Sequence, residues 1–131
     1  MKSLIQKLKF HKHDDVLILN EPEDFLPFIE ELNATITSSL IKTSCVDCAL
    51  LFITSKKQLF SQMLTLFPKL KDDSVLWIAY PNSVSKAEIL ELYNNDIWDE
   101  LMDYRLQPVR KIELNSDWDA LRFRKIEYLK P

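Results

Sequence analysis

The chain contains no glycine among its 131 residues, whereas average usage of about 7% predicts about nine. Glycine is the residue that turns the backbone through positive φ and lets a phosphate approach it closely. The dinucleotide-binding fingerprint and the P-loop both need glycine, so the sequence excludes both. Turns that need positive φ should fall mostly to asparagine. The asparagines at predicted element ends are Asn20, Asn33, Asn82, Asn94, Asn95 and Asn115.

Length and composition predict one globular domain spanning residues 1–131. The chain is 47% hydrophobic and 28% charged, and at this length folding should bury roughly two-thirds of the surface of the unfolded chain. It has no apolar run long enough for a membrane span. Residues 1–10 interleave lysines with apolar residues, unlike a secretory signal. We therefore expect a cytoplasmic location.

The charge balance argues against broad electrostatic binding to nucleic acid or to anionic lipid. The net charge is −3 and the isoelectric point is near 5.4, whereas nucleic-acid-binding domains are usually strongly basic. The first segment is locally basic, but Asp14 and Asp15 follow it at once. We interpret this segment as solvated surface rather than as a docking arm. Its basic residues are Lys2, Lys7, Lys9, His11, Lys12 and His13.

Three mostly apolar runs, at 16–19, 49–54 and 74–80, are typical of parallel strands covered on both faces. A weaker strand is predicted at 35–40. Segments whose apolar residues have helical spacing separate these strands, so strands and helices alternate along the chain as in βαβ units.

Three helical stretches are predicted between the strands. The first begins near Pro22, with buried positions predicted at Phe25, Phe28, Ile29 and Leu32. The second begins at Ser55, which has capping-box spacing to Gln58; its predicted apolar face is Leu59, Phe60, Met63, Leu64 and Phe67. The third, near 86–104, is one helix or two, because Asn94 and Asn95 interrupt it.

The C-terminal part predicts an antiparallel hairpin. Strand-like runs at 109–114 and 120–128 are separated only by 115–119, which is too short for a helical crossover. A change of phase in the last run predicts a bulge near Arg124 and Lys125. The predicted fold class is therefore a three-layer, doubly wound α/β fold with a mostly parallel sheet and a C-terminal antiparallel hairpin.

This architecture resembles the class I methyltransferase fold in reduced form. Four segments, 16–25, 51–55, 76–81 and 118–124, together resemble a family of small bacterial proteins of unknown function. The most specific are the Tyr80-Pro81 strand end and the run 118–123. Members of that family usually carry a lysine where this chain has Asn82 and an arginine where it has Asn95, which argues against an anion site there. The resemblance implies a Rossmann-like fold and no particular activity.

In an open α/β sheet, ligands bind outside the carboxyl ends of the strands. Polar side chains cluster at those predicted ends, and tryptophans at 98 and 118 could form walls. The alternative is that residues such as Asn20 and Ser55 only cap helices. The candidate pocket consists of Asn20, Glu21, Thr54, Ser55, Tyr80, Asn82, Ser83, Lys86 and Trp118.

The turn after the first strand is unsuited to phosphate. Glu21, Glu23 and Asp24 crowd it with negative charge, and Pro22 removes a backbone donor. A cation or ribose hydroxyl groups remain compatible with it.

The sequence does not supply the residues for a zinc site, a redox dithiol or a nucleophilic triad. Cys45 and Cys48 form a lone C-x-x-C that runs into a strand, so reduced cysteines fit better than zinc or a redox dithiol. The serines at 55 and 83 have no histidine near them in sequence. The acidic residues at 96, 99 and 100 more often form a solvated face than a metal site. We predict no metal and no cofactor.

These observations favour a non-catalytic binding or regulatory module. The alternative is an enzyme that uses an unorthodox small-molecule pocket, with an adenosyl compound as one candidate. A third hypothesis is an assembly role through the hairpin edge or an aromatic-rich helix. The sequence leaves the partner open between a small molecule and a protein, with a homodimer as one arrangement.

Overall fold

A computed structural model describes residues 3–32, 35–39, 45–82, 101 and 104–128. Four parallel strands form one side of a six-stranded sheet: β1 (Asp15–Leu19), β2 (Thr35–Thr37), β3 (Val46–Phe52) and β4 (Leu70–Pro81). The strand order is β2-β1-β3-β4-β6-β5. The structure confirms the predicted mostly parallel sheet. The apolar runs of the sequence form its central strands, which are buried on both faces.

The antiparallel pair completes the sheet. β6 (Trp118–Lys125) pairs with β4 and separates it from β5 (Leu106–Glu113), which lies at the outer edge. The predicted hairpin is confirmed, but the bulge lies elsewhere. The register shifts on β5 between Pro108 and Arg110, whereas β6 ends at Lys125 and continues as a 3-10 turn at Ile126–Tyr128. The change of phase at Ile126 therefore marks the end of the strand.

Helices pack on both faces of the sheet. α1 (Leu4–Leu8) and α2 (Leu26–Glu30) lie on one face, which also carries Trp77, and α3 (Lys56–Leu66) lies on the other. A 3-10 turn at Glu23–Phe25 precedes α2, so the helix predicted from Pro22 begins there as a 3-10 turn. The single helix or helix pair predicted near 86–104 falls mostly outside the described residues.

The apolar face of α3 differs from the predicted one at one position. Leu59 and Met63 are buried as predicted, but Leu64 is 69% exposed and Leu66 takes its place against the sheet. Phe60 and Phe67 are half-buried and pack at the margin of this core. The sequence pattern was ambiguous because apolar residues occupy both 64 and 66.

Asparagine adopts positive φ at fewer positions than the sequence predicts. Among the described residues it occurs at Lys9 (66°), Asn20 (63°) and Arg105 (59°). Asn115 instead accepts hydrogen bonds through its side chain from the N–H groups of Asp117 (2.8 Å) and Trp118 (2.9 Å), which closes the hairpin turn. Without glycine, this chain places two long side chains in the left-handed region at a cost of about 1–2 kcal/mol each.

Within the described part of the chain, no helix combines the length and the apolar character needed to cross a bilayer. Most of the apolar residues instead form two cores, one on each face of the sheet.

Candidate functional site

The strand order places a topological switch point between β1 and β3. After β1 the chain crosses to β2 on one side, and after β2 it returns to form β3 on the other side of β1. Ligands of open α/β sheets bind in the crevice outside the carboxyl ends of two such strands. Here those ends are Asn20 and the segment 53–54, of which the sequence singled out Asn20 and Thr54.

Asn20 bridges this crevice. Its backbone is left-handed, and its side-chain amide donates a hydrogen bond from Nδ2 to the carbonyl oxygen of Phe52 at 3.1 Å. The bond joins the end of β1 to the end of β3. The amide group therefore occupies the space between the two strand ends.

A row of aromatic rings lies beside this bridge. The ring of Phe52 contacts Phe25 on one side at a centroid distance of 5.0 Å and Trp118 on the other at 5.1 Å, both edge-on. Phe28 continues the row, 4.8 Å from Phe25. Phe25 and Phe52 are at most 3% exposed. Trp118, a predicted pocket wall, thus packs against the end of β3.

The polar groups that follow β3 form hydrogen bonds at the start of α3. The Ser55 hydroxyl accepts a hydrogen bond from the Gln58 N–H at 3.1 Å. The Gln58 side chain does not return to Ser55 as in a full capping box; its Oε1 accepts from the Thr54 N–H at 2.8 Å. Ser55 therefore caps α3, and the N–H of Thr54 is bound by the side chain of the same helix.

Glu21 and Pro22 follow Asn20 without entering a helix directly. Pro22 is extended and precedes the 3-10 turn, whose Phe25 N–H donates to the Pro22 carbonyl at 3.0 Å. The acidic side chains at 23 and 24 occupy the first turn, exposed. These two carboxylates add negative charge to the turn, and the repulsion of anions there stays a prediction.

A polar cluster lies at the carboxyl end of β4. Lys111 Nζ lies 3.6 Å from Asp119 Oδ2, and Asn82 Nδ2 lies 3.5 Å from the other oxygen of Asp119. Tyr80 shares a hydrogen bond with Lys111. The sequence predicted Tyr80 and Asn82 but missed Lys111 and Asp119. The hairpin register that brings these two together was the signal that could have found them.

The protonation of this cluster follows from its surroundings. Burial raises the pKa of the Tyr80 phenol, and the nearby Lys111 ammonium opposes that shift. The Tyr80 oxygen, followed by Asp119, raises the pKa of Lys111. At neutral pH the phenol is therefore neutral and the amine charged. Ser83 and Lys86, also predicted for this pocket, lie outside the described residues.

The two cysteines occupy different environments. Cys45 is exposed and Cys48 is buried, and both are free thiols. Burial raises the pKa of Cys48 to about 12, although the positive charge of Arg122 opposes the shift. Three residues of extended chain span about 10 Å, beyond the roughly 7 Å limit for a disulfide. Nowhere in the described ranges do three or more potential metal-ligating side chains cluster.

One cavity of about 90 Å³ lies at the amino ends of the strands, whereas the predicted pocket lies at their carboxyl ends. A salt bridge between Lys71 and Asp47, 3.5 Å long, forms part of its wall. The cavity is lined by Asp15, Val16, Leu17, Thr37, Cys45, Val46, Asp47, Cys48 and Lys71. Because it lies at the amino ends of the strands, its position is not that of the usual α/β ligand site.

We expect Asn20 to stabilise the switch point in two ways. Asn20→Ala loses the bond to Phe52 and also pays for positive φ, so it should lower the free energy of unfolding by about 2 kcal/mol. Asn20→Gly loses the bond and adds the backbone entropy of glycine but has no cost of positive φ, so it should lower it by less, about 1–1.5 kcal/mol. Urea denaturation of both variants measures the difference. Equal losses would contradict a conformational role for this residue.

The fold places this chain in a known structural class. An SAM-dependent methyltransferase from Aquifex aeolicus matches 92% of this chain and 88% of its own, with a TM-score of 0.58 and 12% identity. The ribosomal protein L11 methylase from Lactobacillus delbrueckii subsp. bulgaricus matches with a TM-score of 0.55 and 16% identity. The fibrillarin pre-rRNA processing protein of Methanococcus jannaschii matches with 0.52 and 10%.

At these identities the likeness establishes the fold alone, which is the Rossmann-like fold of class I methyltransferases. The match covers 92% of this chain for the L11 methylase and 86% for fibrillarin, but only 64% and 66% of those proteins. No protein-family model and no curated protein matches the sequence. The proposed kinship with a small bacterial family therefore stays a prediction.

Proposed function

We propose that this protein is a non-catalytic binding module that uses a methyltransferase-like fold without its cofactor site. The observation that carries the proposal is the bridge across the switch point, where Asn20 Nδ2 donates to the carbonyl oxygen of Phe52 at 3.1 Å. A ligand seated between the ends of β1 and β3 would have to displace this amide, and the displaced carbonyl would need a new donor.

Two further features support the proposal. The ring of Phe52 is almost completely buried between Phe25 and Trp118, so opening this region would expose packed aromatic surface. The turn that follows Asn20 carries three carboxylates within residues 21–24 and no basic side chain. The packed rings oppose the insertion of any ligand there, and the carboxylates oppose an anionic or carboxylate-bearing one.

We expect S-adenosylmethionine and S-adenosylhomocysteine to leave the melting temperature of the purified protein unchanged. A ligand at 100 times its dissociation constant adds about 2.7 kcal/mol, roughly 10 °C for a chain of this size. Differential scanning fluorimetry at millimolar ligand, repeated by isothermal titration calorimetry, measures the effect. A saturable shift with either compound would overturn the proposal.

The alternative, an enzyme with a small-molecule pocket at the strand ends, is favoured by the cluster of Tyr80, Lys111 and Asp119. A neutral phenol next to an ammonium group can donate hydrogen bonds to a carbonyl or phosphoryl oxygen. Tyr80→Phe tests this pocket in the same screen. If a compound shifts the wild type, loss of the shift in Tyr80→Phe would indicate binding at this cluster. Conversion of that compound by the wild type and not by Tyr80→Phe would support the enzyme, and binding without conversion would support the binding module.

A further inference from the structure

A second cavity is formed by the amino-terminal segment. It has a volume of about 180 Å³ and is lined by Gln6, Lys9, His11 and Lys12. These residues belong to α1 and to a 3-10 turn at Phe10–Lys12, which the left-handed Lys9 joins. None of the described residues of the switch-point crevice or of the Tyr80 cluster lines it, so it is a separate candidate site.

The lining of this cavity offers hydrogen-bond donors and no carboxylate. The whole segment 3–13 contains three lysines, two histidines and no acidic residue. The ammonium group of Lys12 supplies three donors, and the imidazole of His11 supplies an N–H in either protonation state. A lining of this composition suits an oxyanion, whereas a divalent cation such as Ca²⁺ would need carboxylate or carbonyl oxygens.

Gln6 adds a further pair of donors. Its Oε1 accepts a hydrogen bond from the Ser3 N–H at 3.1 Å, and the Ser3 hydroxyl accepts one from the Gln6 N–H at 3.3 Å. This capping box orients the Gln6 side chain and engages its acceptor. The NH2 group, which carries two donors, is therefore the end of the amide that can bind a ligand.

The charged side chains of the lining are accessible. His11 and Lys12 are exposed, and within the described part of the chain their side chains form no ion pair or hydrogen bond. Lys9 has an interaction of its own. Gln6, His11 and Lys12 are therefore the three residues whose side chains can contact a ligand.

The backbone around the cavity is held firmly on the sheet. Leu8 and Phe10, on either side of Lys9, are at most 2% exposed, and Trp77 Nε1 donates to the Leu8 carbonyl at 3.0 Å. The His13 N–H donates to the Phe10 carbonyl at 3.1 Å and closes the 3-10 turn. A site on a fixed backbone loses less conformational entropy on binding than a site on a mobile loop.

The volume of the cavity indicates a small ligand. Pockets for drug-sized molecules span about 300–1,000 Å³, well above the 180 Å³ found here. A phosphate group, free or with a small organic substituent, is of suitable size, whereas an adenosyl compound is too large. The sequence favoured solvated surface for this segment, because its pattern does not reveal a cavity between α1 and the turn that follows.

We propose that this cavity binds a small phosphate-class oxyanion, either free phosphate or the phosphoryl group of a small monoester. Lys12 offsets the charge of the ligand, and His11 and the NH2 group of Gln6 donate hydrogen bonds to its oxygens. The site goes beyond the proposed function and does not depend on whether the crevice at the switch point is closed.

Nuclear magnetic resonance of the isotope-labelled full chain tests the site. Inorganic phosphate should shift the amide signals of residues 6–12 saturably, with a dissociation constant of about 1 mM or less, and sodium chloride at the same ionic strength should not. A parallel titration with glycerol phosphate identifies the source, because the tighter ligand is the one that the cavity favours. The signals of Asn20 and Phe52 report on the crevice separately. Shifts that do not saturate, that sodium chloride reproduces or that map outside residues 6–12 would overturn the proposal.

Matched substitutions test the individual residues. Lys12→Gln and His11→Ala should each weaken phosphate binding about fivefold or more, because each removes a contact to a charged ligand. Lys57→Gln, which changes an exposed lysine of α3 on the opposite face of the sheet, should leave the dissociation constant unchanged. The amide spectrum of each variant shows that it is folded. Unchanged affinity in Lys12→Gln, or an equal loss in Lys57→Gln, would overturn the proposal.

Discussion

Replacing Phe52 with alanine is expected to lower the free energy of unfolding by about 4 kcal/mol. The side chain is 1% exposed and lies between the rings of Phe25 and Trp118 at centroid distances of 5.0 and 5.1 Å. Removing it deletes the transfer free energy of the ring and leaves a cavity that its neighbours, held by the sheet and by the 3-10 turn at Glu23–Phe25, fill only partly. Urea denaturation followed by circular dichroism measures the loss.

Leu64→Ala is the matched control, since that side chain is 69% exposed on α3. It should change the free energy of unfolding by no more than about 0.5 kcal/mol. The row of rings would be a minor contributor to stability if Phe52→Ala lost less than about 1 kcal/mol. In that case the rings would be loosely packed at the switch point and would not oppose the entry of a ligand there.

The parallel part of the fold follows from local pattern. Runs such as 16–19 are apolar at every position, and only a strand covered on both faces uses residues in that way. The hairpin was equally predictable, because a five-residue loop leaves no room for a crossover. Strand order was not predictable from either signal, since local pattern does not show on which side of an existing strand the chain returns after each crossover.

The sequence predictions that were wrong also failed because local pattern does not determine tertiary geometry. Leu64 and Leu66 both fit a helical stripe, and only the direction from which α3 meets the sheet decides that Leu66 is buried. Lys9 and Arg105 take positive φ where the sequence favoured asparagine, because the geometry of the connection fixes the backbone there and the chain has no glycine to offer. Local propensity gives way to tertiary structure at such positions.

The candidate site was partly predictable. Asn20 and Tyr80 stand at strand ends, where a sequence pattern can place them, but the bond from Asn20 to Phe52 spans 32 residues and depends on β1 and β3 being neighbours. Lys111 and Asp119 become neighbours only in the hairpin register. In a chain without glycine, the turn after β1 is made by an asparagine with positive φ, whose side chain also joins the ends of β1 and β3.

Cys48 should make the protein sensitive to alkali. Burial raises the pKa of its thiol to about 12 in the folded protein, from 9.0 in an ordinary environment. The folded state therefore holds the thiol proton more tightly than the unfolded state. The stabilisation is complete below pH 9 and is lost as pH rises from about 9 to about 12. At about pH 10.5 the loss should reach about 2 kcal/mol, measured as the change in urea stability from about pH 8.

Cys48→Ala isolates this effect, because Tyr80, whose pKa is also raised by burial, contributes in the same direction in both proteins. The variant should lose about 2 kcal/mol less than the wild type over the same pH interval. Cys45→Ala, which removes the exposed thiol, should follow the wild type. Parallel pH profiles for wild type and Cys48→Ala would mean that the thiol ionises near its ordinary pKa, and hence that water reaches β3 at this position.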